Sequence, residues 1–255
     1  MILGIDIGNT TSEFGFIYNG KIVNSYKLKS DHSKTTDDWL IDISAVFDIE
    51  GIGKESVVDC VISSVVPPLE EKIFNACRKY LKKKPLRIGK ELKVPIKINY
   101  HKPEDVGTDR IVNAYAGIKR YGKPLILVDL GTAITFDVVS EKGEYEGGAI
   151  FPGIDSSIEA LFSKTAKLPK VSIEDVKSVV GKTTVESIQS GIFFGYVSLI
   201  EGMIKRIIRE KNFCPKVILT GGSGEIITKG LEIEHIFDRY LSLEGIYDIY
   251  DRFKN

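Results

Sequence analysis

The sequence predicts an α/β protein made of two similar lobes that face each other across a nucleotide-binding cleft. The first observation is a short apolar strand that ends in Asp6 and turns at Gly8. The second is a copy of this design 123 positions later, at Asp129 and Gly131, close to half of the 255 residues. The third is that each copy continues into an apolar strand, a turn and a further strand. The sequence therefore favours two lobes with one Asp-x-Gly turn each.

Composition limits the classes of partner. The chain is 43% hydrophobic and 27% charged, which is typical of a globular protein. Its 35 basic and 35 acidic side chains cancel, so neither nucleic acid nor a membrane is an expected partner. No apolar run approaches the roughly 18 residues of a membrane span, and the N-terminus lacks a signal pattern. Three distant cysteines without metal-ligand spacing predict reduced thiols in a cytoplasmic protein.

The first half of the chain alternates strands and helices by hydrophobic periodicity. Predicted strands occupy 2–7, 12–18 and 21–28, as an antiparallel meander, and then 57–66, 86–88 and 94–99. Predicted helices occupy 37–47, 67–83 and 103–121. Proline opens the last two helices, where its missing N–H costs little. Trp39 lies on the apolar face of the first helix and is expected in the core.

The second half repeats the meander and then adds helices. Gly122-Lys123-Pro124 breaks the preceding helix, which sets an N-terminal lobe at 1–121 and a C-terminal lobe at 122–255. The predicted strands are 125–130, 133–140, 144–150 and 216–220. A predicted turn at 151–153 leads into a helix that reaches about Phe162, and further helices are predicted at 184–211, at 244–253 and after the Gly221–Gly224 turn. Thr183 or Thr184 caps the long helix, with Glu186 near the capping-box position.

The turn after the first strand has the chemistry of a phosphate site. Gly8 lets the backbone approach a phosphate, and the hydroxyls of Thr10, Thr11 and Ser12 can donate to its oxygens. Asp6 could hold Mg²⁺, directly or through water, because hard cations prefer oxygen ligands. The alternative is an ordinary β-turn closed by an Asx-type hydrogen bond.

Two further stretches suggest chemistry at a nucleotide cleft. Asp109 can accept the proton of an attacking hydroxyl, and Arg110 can grip an anionic group through its planar donors. The alternative is a surface ion pair, which contributes little. Gly221 and Gly222 after an apolar strand would let an adenosine lie against bare backbone. The alternative there is a plain strand-to-helix turn.

Small residues line one face of the long predicted helix: Gly191, Gly195, Ser198 and Gly202. Glycine costs a helix about 1 kcal/mol against alanine, so a whole face of small residues indicates that something packs very close. Packing within the chain and a dimer interface are both open explanations.

Taken together in order, these motifs resemble type III pantothenate kinases. The resemblance covers about residues 2 to 248 and rests on seven stretches. These are Asp6–Thr10, Gly107–Arg110, Asp129–Thr132, Tyr145–Gly153, Thr165–Pro169, Val180–Thr184 and Thr220–Gly222. Singly these motifs are weak, but together they are specific. The resemblance implies the actin-like ATPase (ribonuclease H-like) fold, which the family shares with sugar kinases and chaperone ATPases.

The resemblance also implies an activity and its residues. The reaction is phosphorylation of pantothenate by ATP to 4′-phosphopantothenate, the first step of coenzyme A synthesis, with Mg²⁺ and a monovalent cation, K⁺ or NH₄⁺. Asp109 is the implied general base and Asp129 the implied ligand of the monovalent cation. The implied ATP contacts are Asp6, Ile7, Gly8, Asn9, Thr10, Thr11, Ser12, Glu13, Thr132, Gly221 and Gly222. The implied pantothenate contacts are Tyr100, Gly107, Thr108, Asp109, Arg110 and Thr184. The family is dimeric, which implies a homodimer.

Two rival functions belong to other classes. One is a kinase or phosphatase for another small molecule, for which the pocket around Tyr100, Asp109 and Thr184 would have to differ. The other is a regulatory protein on the same fold, since some relatives were first described as accessory factors for transcription. Such a protein would have little reason to keep Asp6, Asp109 and Asp129 together, and neutral net charge disfavours direct DNA binding.

Overall fold

The chain folds into two compact units. The structure, a computed structural model, describes residues 1–164 and 168–255. The first unit combines Met1–Ile96, His101–Ala116 and Tyr240–Asn255, and the second combines Lys97–Tyr100 and Gly117–Arg239. This division differs from a single cut between 121 and 122, because the C-terminal residues return to the first unit.

The described residues include ten strands and seven α-helices. The strands are β1 (Ile2–Ile7), β2 (Thr11–Tyr18), β3 (Lys21–Lys29), β4 (Asp59–Ser64), β5 (Leu86–Arg87), β6 (Leu125–Leu130), β7 (Ala133–Val139), β8 (Tyr145–Pro152), β9 (Lys216–Thr220) and β10 (Ile236–Phe237). The helices are α1 (Thr36–Glu50), α2 (Pro67–Leu81), α3 (Thr108–Tyr121), α4 (Ile154–Ser163), α5 (Thr184–Lys211), α6 (Gly224–Ile227) and α7 (Leu241–Lys254).

The first unit is built on a sheet of order β3-β2-β1-β4-β5. Strands β1 to β3 form the predicted antiparallel meander, and β4 and β5 continue the sheet in parallel. The core that includes α1 and α2 contains Trp39, Cys60 and Cys77, all almost fully buried as predicted. Trp39 is therefore a core residue.

Helix α7 approaches this same unit closely because two strands carry glycine. Gly4 and Gly15 are cross-strand partners, and a Cβ added to Gly15 would lie only 2.6 Å from Leu243 Cδ1. The hydroxyl of Tyr250 donates to the Asp59 carboxylate on β4 at 2.5 Å, and the Lys254 ammonium lies 3.1 Å from it. These contacts explain why the last helix belongs to the first unit.

The second unit repeats the first. Its sheet has the order β10-β9-β6-β7-β8, in which β6 to β8 form an antiparallel meander and β9 and β10 add in parallel. Read from its other edge, this is the strand order of the first sheet. The inward residues of β6 and β7 share a core with α4 and α5. The predicted duplication of an Asp-x-Gly unit is thus confirmed.

Two element predictions were wrong. Residues 94–99 form no strand, because Pro95 lacks an N–H, and only Ile98 makes an isolated bridge, to Tyr145. The helix predicted over 103–121 starts at Thr108, after a single 3₁₀ turn at Pro103–Asp105. Thr165, Ala166 and Lys167, part of one motif of the resemblance, lie outside the described residues.

The N-terminus of α5 is capped nearly as predicted. Thr183 Oγ1 accepts the N–H of Glu186 at 3.2 Å, whereas the Glu186 carboxylate accepts from the N–H of Lys182 instead of that of Thr183. The capping-box pattern therefore located the helix start within one residue. None of the helices in the described part of the chain is long and apolar enough to cross a membrane.

Candidate active site

In the first unit, polar groups gather where the parallel strands end. The Val65 N–H, just beyond β4, donates to the carbonyl of Ile7 at the end of β1 at 3.2 Å. Val65 also lies against Gly107, whose added Cβ would be 3.5 Å from Val65 Cγ1. The carboxyl end of β1 and the start of α3 therefore share one sheet edge, where α/β proteins bind their ligands.

The first Asp-x-Gly turn presents its tip outward. The Gly8 N–H donates to the Thr11 carbonyl at 3.0 Å, which closes the turn, and the side chains of Asn9, Thr10 and Thr11 are exposed. Asp6 lies half-buried at the end of β1. A carboxylate with amide and hydroxyl oxygens nearby is a donor set that suits Mg²⁺.

Three residues of the predicted turn support it from behind. Ile7 belongs to the core, and Ser12 is fully buried, with its hydroxyl 2.8 Å from Ser30 Oγ. The Glu13 carboxylate accepts from Ser25 Oγ at 2.8 Å and lies 3.3 Å from Lys27 Nζ. The side chains of these three residues hold the strands, whereas the tip of the turn is exposed.

Asp109 in the first turn of α3 folds back over Gly107. Its Oδ1 accepts the backbone N–H of Arg110 at 2.8 Å, and a Cβ on Gly107 would lie 2.5 Å from that oxygen. Burial raises the pKa of Asp109, and the N–H and charge of Arg110 oppose the rise only in part. Arg110 itself is buried. The result is a positioned carboxylate with a strengthened affinity for a proton.

In the second unit, Asp129 and the Gly221 turn lie in contact. Gly221 has φ +94°, and a Cβ there would lie 2.6 Å from Asp129 Oδ1 and 2.6 Å from the backbone of Leu130. The Ser223 N–H donates to the Leu130 carbonyl at 3.3 Å. Only glycine fits this conformation and this closeness, so the turn predicted to bind adenosine is built against the predicted cation ligand.

The second Asp-x-Gly turn is held by the start of α4. The carbonyl of Thr132 accepts the Gly153 N–H and the Ser156 hydroxyl, each at 3.1 Å. A Cβ on Gly153 would lie 2.3 Å from that same carbonyl. The sequence indicated a turn at Gly153 but no role in the site, because these contacts join residues about twenty positions apart.

Tyr100 and Thr184 are both exposed residues of the second unit. The Tyr100 ring lies over Gly147, whose added Cβ would be 3.2 Å from its Cε2. Gly147 has φ +93°, so both its conformation and its neighbour require glycine. Thr184 is the first residue of α5 and lines a surface groove with Lys182 and Ser187.

The structure therefore brings the predicted residues together in two groups. The first unit holds the Asp6–Thr11 turn and Gly107–Arg110, and the second holds Asp129, Thr132 and Gly221. No cluster of three or more His, Cys, Asp or Glu side chains suited to a metal occurs among the residues described. One carboxylate beside backbone and hydroxyl oxygens, as at Asp129, is a donor set that fits a monovalent cation.

Comparison with known proteins gives a consistent family. The family model described as type III pantothenate kinase matches residues 2–206. A protein of Persephonella marina named type III pantothenate kinase is 87% identical over 250 residues, covering 98% of each chain.

Solved structures resemble the chain over its length. A Campylobacter jejuni protein, assigned by name to the Baf family of transcriptional activators, superposes with a TM-score of 0.62 at 20% identity and covers 100% of both chains. The activator of 2-hydroxyisocaproyl-CoA dehydratase from Clostridium difficile, with bound ADPNP, gives 0.56 at 12% identity and covers 99% of this chain and 96% of its own. At these identities the likeness concerns the fold alone.

Proposed function

The chain belongs to the type III pantothenate kinase family and phosphorylates pantothenate with ATP, and we propose that Asp109 is the general base of this reaction. The reaction is the first step of coenzyme A biosynthesis, and the fold is that of the actin-like ATPases and sugar kinases. The observation that carries the proposal is the Asp109 carboxylate. It is held over Gly107 at the sheet edge where β1 ends, with a raised pKa.

In the proposed mechanism Asp109 takes the proton of the pantothenate hydroxyl as that oxygen attacks the γ-phosphorus of ATP. In its ionised form, a carboxylate whose pKa is raised by burial is a better base than a solvated one. The buried guanidinium of Arg110 offers a fixed, planar set of donors to an anionic group beside the base. Phosphoryl transfer depends chiefly on this kind of positioning and charge stabilisation.

The exposed tip of the first turn, Asn9 to Thr11, is proposed to bind ATP phosphates, with Asp6 holding Mg²⁺ directly or through water. Mg²⁺, when bound, neutralises charge on the phosphate oxygens. In the second unit Thr132, Gly221 and Gly222 are proposed to contact ATP, and Asp129 to bind K⁺ or NH₄⁺. The fit of the Gly221 backbone against the Asp129 carboxylate supports this pairing of sites.

Pantothenate is proposed to meet Gly107 to Arg110 together with Tyr100 and Thr184. The Tyr100 ring has one side on Gly147 and is 43% exposed, so it offers a surface to a ligand. Thr184 presents an exposed hydroxyl at the start of α5.

We also propose a homodimer through the small-residue face of α5. Added Cβ atoms at Gly191, Gly195 and Gly202 would meet no atom of the described residues within 4 Å. Tight packing within the described chain therefore does not explain these glycines, which favours contact with a second copy of the chain.

The predicted cytoplasmic location stays a prediction.

The decisive experiment is ADP release by the purified protein with ATP, Mg²⁺ and K⁺, with and without pantothenate, followed by mass analysis of the product. We expect ADP release that depends on pantothenate and a singly phosphorylated product. ADP release at the same rate with and without pantothenate, or ADP release with other acceptor alcohols, would indicate another substrate. Absence of turnover with every cation would favour a regulatory protein.

A further inference from the structure

Asp137 is a buried carboxylate that the proposed reaction does not use. It lies on β7 with 1% of its surface exposed. The hydroxyl of Tyr145, which is itself fully buried, donates to Asp137 Oδ1 at 2.8 Å. The hydroxyl of Thr135 donates to Asp137 Oδ2 at 2.8 Å. Burying a carboxylate is costly even when donors satisfy it, so packing alone does not account for an aspartate at this position.

The bond to Asp137 fixes the direction of the Thr135 hydroxyl. A threonine hydroxyl has one hydrogen to donate and two lone pairs that accept. Because the hydrogen is directed at Asp137, the oxygen presents lone pairs to its remaining neighbours. Asp137 therefore makes Thr135 an acceptor toward the rest of the site.

Thr135 stands directly opposite Asp129. The two residues are cross-strand partners between β6 and β7. Directly opposite side chains in an antiparallel pair lie on one face, with Cβ atoms about 4.5–5.5 Å apart. A carboxylate and a hydroxyl oxygen that has given its hydrogen elsewhere thus stand side by side. A carboxylate oxygen and a hydroxyl oxygen on one face are the kind of ligands that a hard cation prefers.

We propose that Thr135 Oγ1 is a second protein ligand of the monovalent cation and that Asp137 is the residue that positions it. The proposal rests on the proposed role of Asp129 and extends it. Asp129 supplies the single negative charge and Thr135 a neutral oxygen, so the pair matches one positive charge. Tyr145 holds the other oxygen of Asp137 and so keeps the carboxylate turned toward Thr135.

The test uses the full-length protein and two readouts. The first is the midpoint of thermal unfolding as KCl replaces choline chloride at constant ionic strength. The second is the K⁺ concentration that gives half-maximal activity. We expect K⁺ to raise the unfolding midpoint of the unaltered protein. In Thr135→Val, which keeps the shape and removes the oxygen, this rise disappears and the half-activating K⁺ concentration increases about 10-fold or more.

Two further variants separate positioning from packing. Thr135→Ser keeps the oxygen and is expected to retain the K⁺ response. Asp137→Asn brings an amide N–H to the site, which can donate to Thr135 Oγ1 and turn the hydroxyl around. It is expected to raise the half-activating K⁺ concentration about 10-fold, a typical effect of losing an outer-shell partner. Ser140→Ala, which removes a hydroxyl just beyond β7, serves as the matched control.

Each outcome bears on a different statement. A Thr135→Val protein with the normal K⁺ response would overturn the inference while leaving the kinase assignment intact. If Asp137→Asn lowered the unfolding midpoint equally in KCl and choline chloride, with unchanged K⁺ activation, Asp137 would be a packing residue only. If the unaltered protein phosphorylated pantothenate without any K⁺ response, the role of Asp129 and this inference would both fail. K⁺ stabilisation without pantothenate-dependent turnover would contradict the kinase reaction and leave the cation site intact.

Discussion

At the scale of single residues, opposing effects meet at Asp109. Burial favours the protonated carboxyl, whereas the N–H and the charge of Arg110 favour the carboxylate, and burial is the larger influence. The N–H of Arg110 holds the carboxylate at 2.8 Å, in a position where a Cβ on Gly107 would lie only 2.5 Å from its Oδ1. Proton affinity and position thus depend on Arg110 and on the absence of a side chain at Gly107.

Asp109→Asn removes the proposed base with little change in shape. General bases contribute typically about 10²–10⁴-fold, so we expect a loss of turnover of that order with an unchanged unfolding temperature. Steady-state ADP release and thermal unfolding measure the two quantities. Asp105→Asn, at an exposed carboxylate four positions earlier, is the control and should retain activity. Near-normal turnover in Asp109→Asn would remove Asp109 from the mechanism.

Gly107→Ala tests whether position matters as well as identity. The new Cβ would lie 2.5 Å from Asp109 Oδ1, which forces the carboxylate out of place. A displacement of about 1 Å at a reacting group can cost roughly 10²-fold, so we expect kcat to fall by about that factor while the protein stays folded. The unfolding temperature of this variant, compared with that of the unaltered protein, shows whether the fold is kept. An unchanged kcat would mean that Asp109 does not need its observed rotamer.

The pH dependence of kcat/KM has a predictable sign. Asp109 accepts a proton only when ionised, so activity rises as pH increases through its pKa. Because burial raises that pKa above 3.8, the acidic limb should lie at higher pH than for an ordinary aspartate. Arg110→Gln removes a charge that lowers the pKa and should move the limb higher still, whereas Arg110→Lys should not. If the acidic limb of the kcat/KM profile lay at the same pH in both Arg110 variants, Asp109 would not be the titrating group.

Residue patterns selected candidate side chains but did not predict where they point. Asp6, Asp109 and Asp129 were identified because a carboxylate after a buried strand or beside an arginine is unusual. The inward direction of Ser12 and the supporting role of Glu13 were not predicted, since the partners Ser30 and Ser25 lie on another strand. Such contacts depend on tertiary register.

At the scale of elements, α7 packs closely against its neighbours because glycine stands at the points of contact. A Cβ on Gly245 would lie 2.8 Å from Val112 Cγ1 and 2.9 Å from the Val112 carbonyl on α3. Together with Gly4 and Gly15 on the sheet, this residue lets a helix from the end of the chain approach β1 and α3 closely. The packing depends on missing side chains as much as on present ones.

Gly245→Ala is expected to destabilise the protein. Overpacking of this kind costs about 1–3 kcal/mol, and the greater helix preference of alanine returns at most about 1 kcal/mol. The net change should therefore lower the free energy of unfolding, measured by urea titration. Arg252→Ala on the exposed side of the same helix should change it by less than about 0.5 kcal/mol. If Gly245→Ala stabilised the protein, α7 would be able to move away from Val112 at little cost, and the overpacking argument would be wrong.

Periodicity predicted most elements for two reasons. Helices α2 and α7 have a well-defined apolar face, and β1 and β6 are short, almost fully buried apolar runs. The failure at 94–99 has a local reason, since alternating Val94, Ile96 and Ile98 mimic a strand while Pro95 prevents the ladder. Helix α3 starts late because Val106, after the 3₁₀ turn, has extended backbone with ψ 124°.

At the scale of the whole molecule, the proposed dimer can be tested at the small-residue face of α5, where Gly195 has no described neighbour within 4 Å of an added Cβ. Gly195→Leu would project a large side chain from this face, and we expect it to convert a dimer into monomers at micromolar concentration. Light scattering after size-exclusion chromatography measures the mass. Arg78→Leu on the exposed face of α2 is the matched control and should remain dimeric. A monomeric unaltered protein would remove the proposed dimer.

The two-unit architecture could be predicted from the sequence, because the Asp-x-Gly turn and its meander recur half a chain apart. The strand orders of the two sheets match in the same way. The sheet against which the final helix packs could not be predicted. Its tyrosine-rich pattern indicates that one face is buried, but it does not indicate which sheet buries it. Contacts with Gly4 and Gly15 settle it, and they are remote in sequence.

This return of α7 has a consequence for synthesis of the chain. Domains usually complete in order as the N-terminal part leaves the ribosome first, at about 5–20 residues per second. Here residues 117–239 emerge as one uninterrupted stretch, whereas the first unit waits for Tyr240–Asn255. The half that is translated first is therefore finished last. A chain truncated just before α7 would have a β-sheet with one face uncovered. Cellular quality control would recognise this exposed face, and not a defect in the active site.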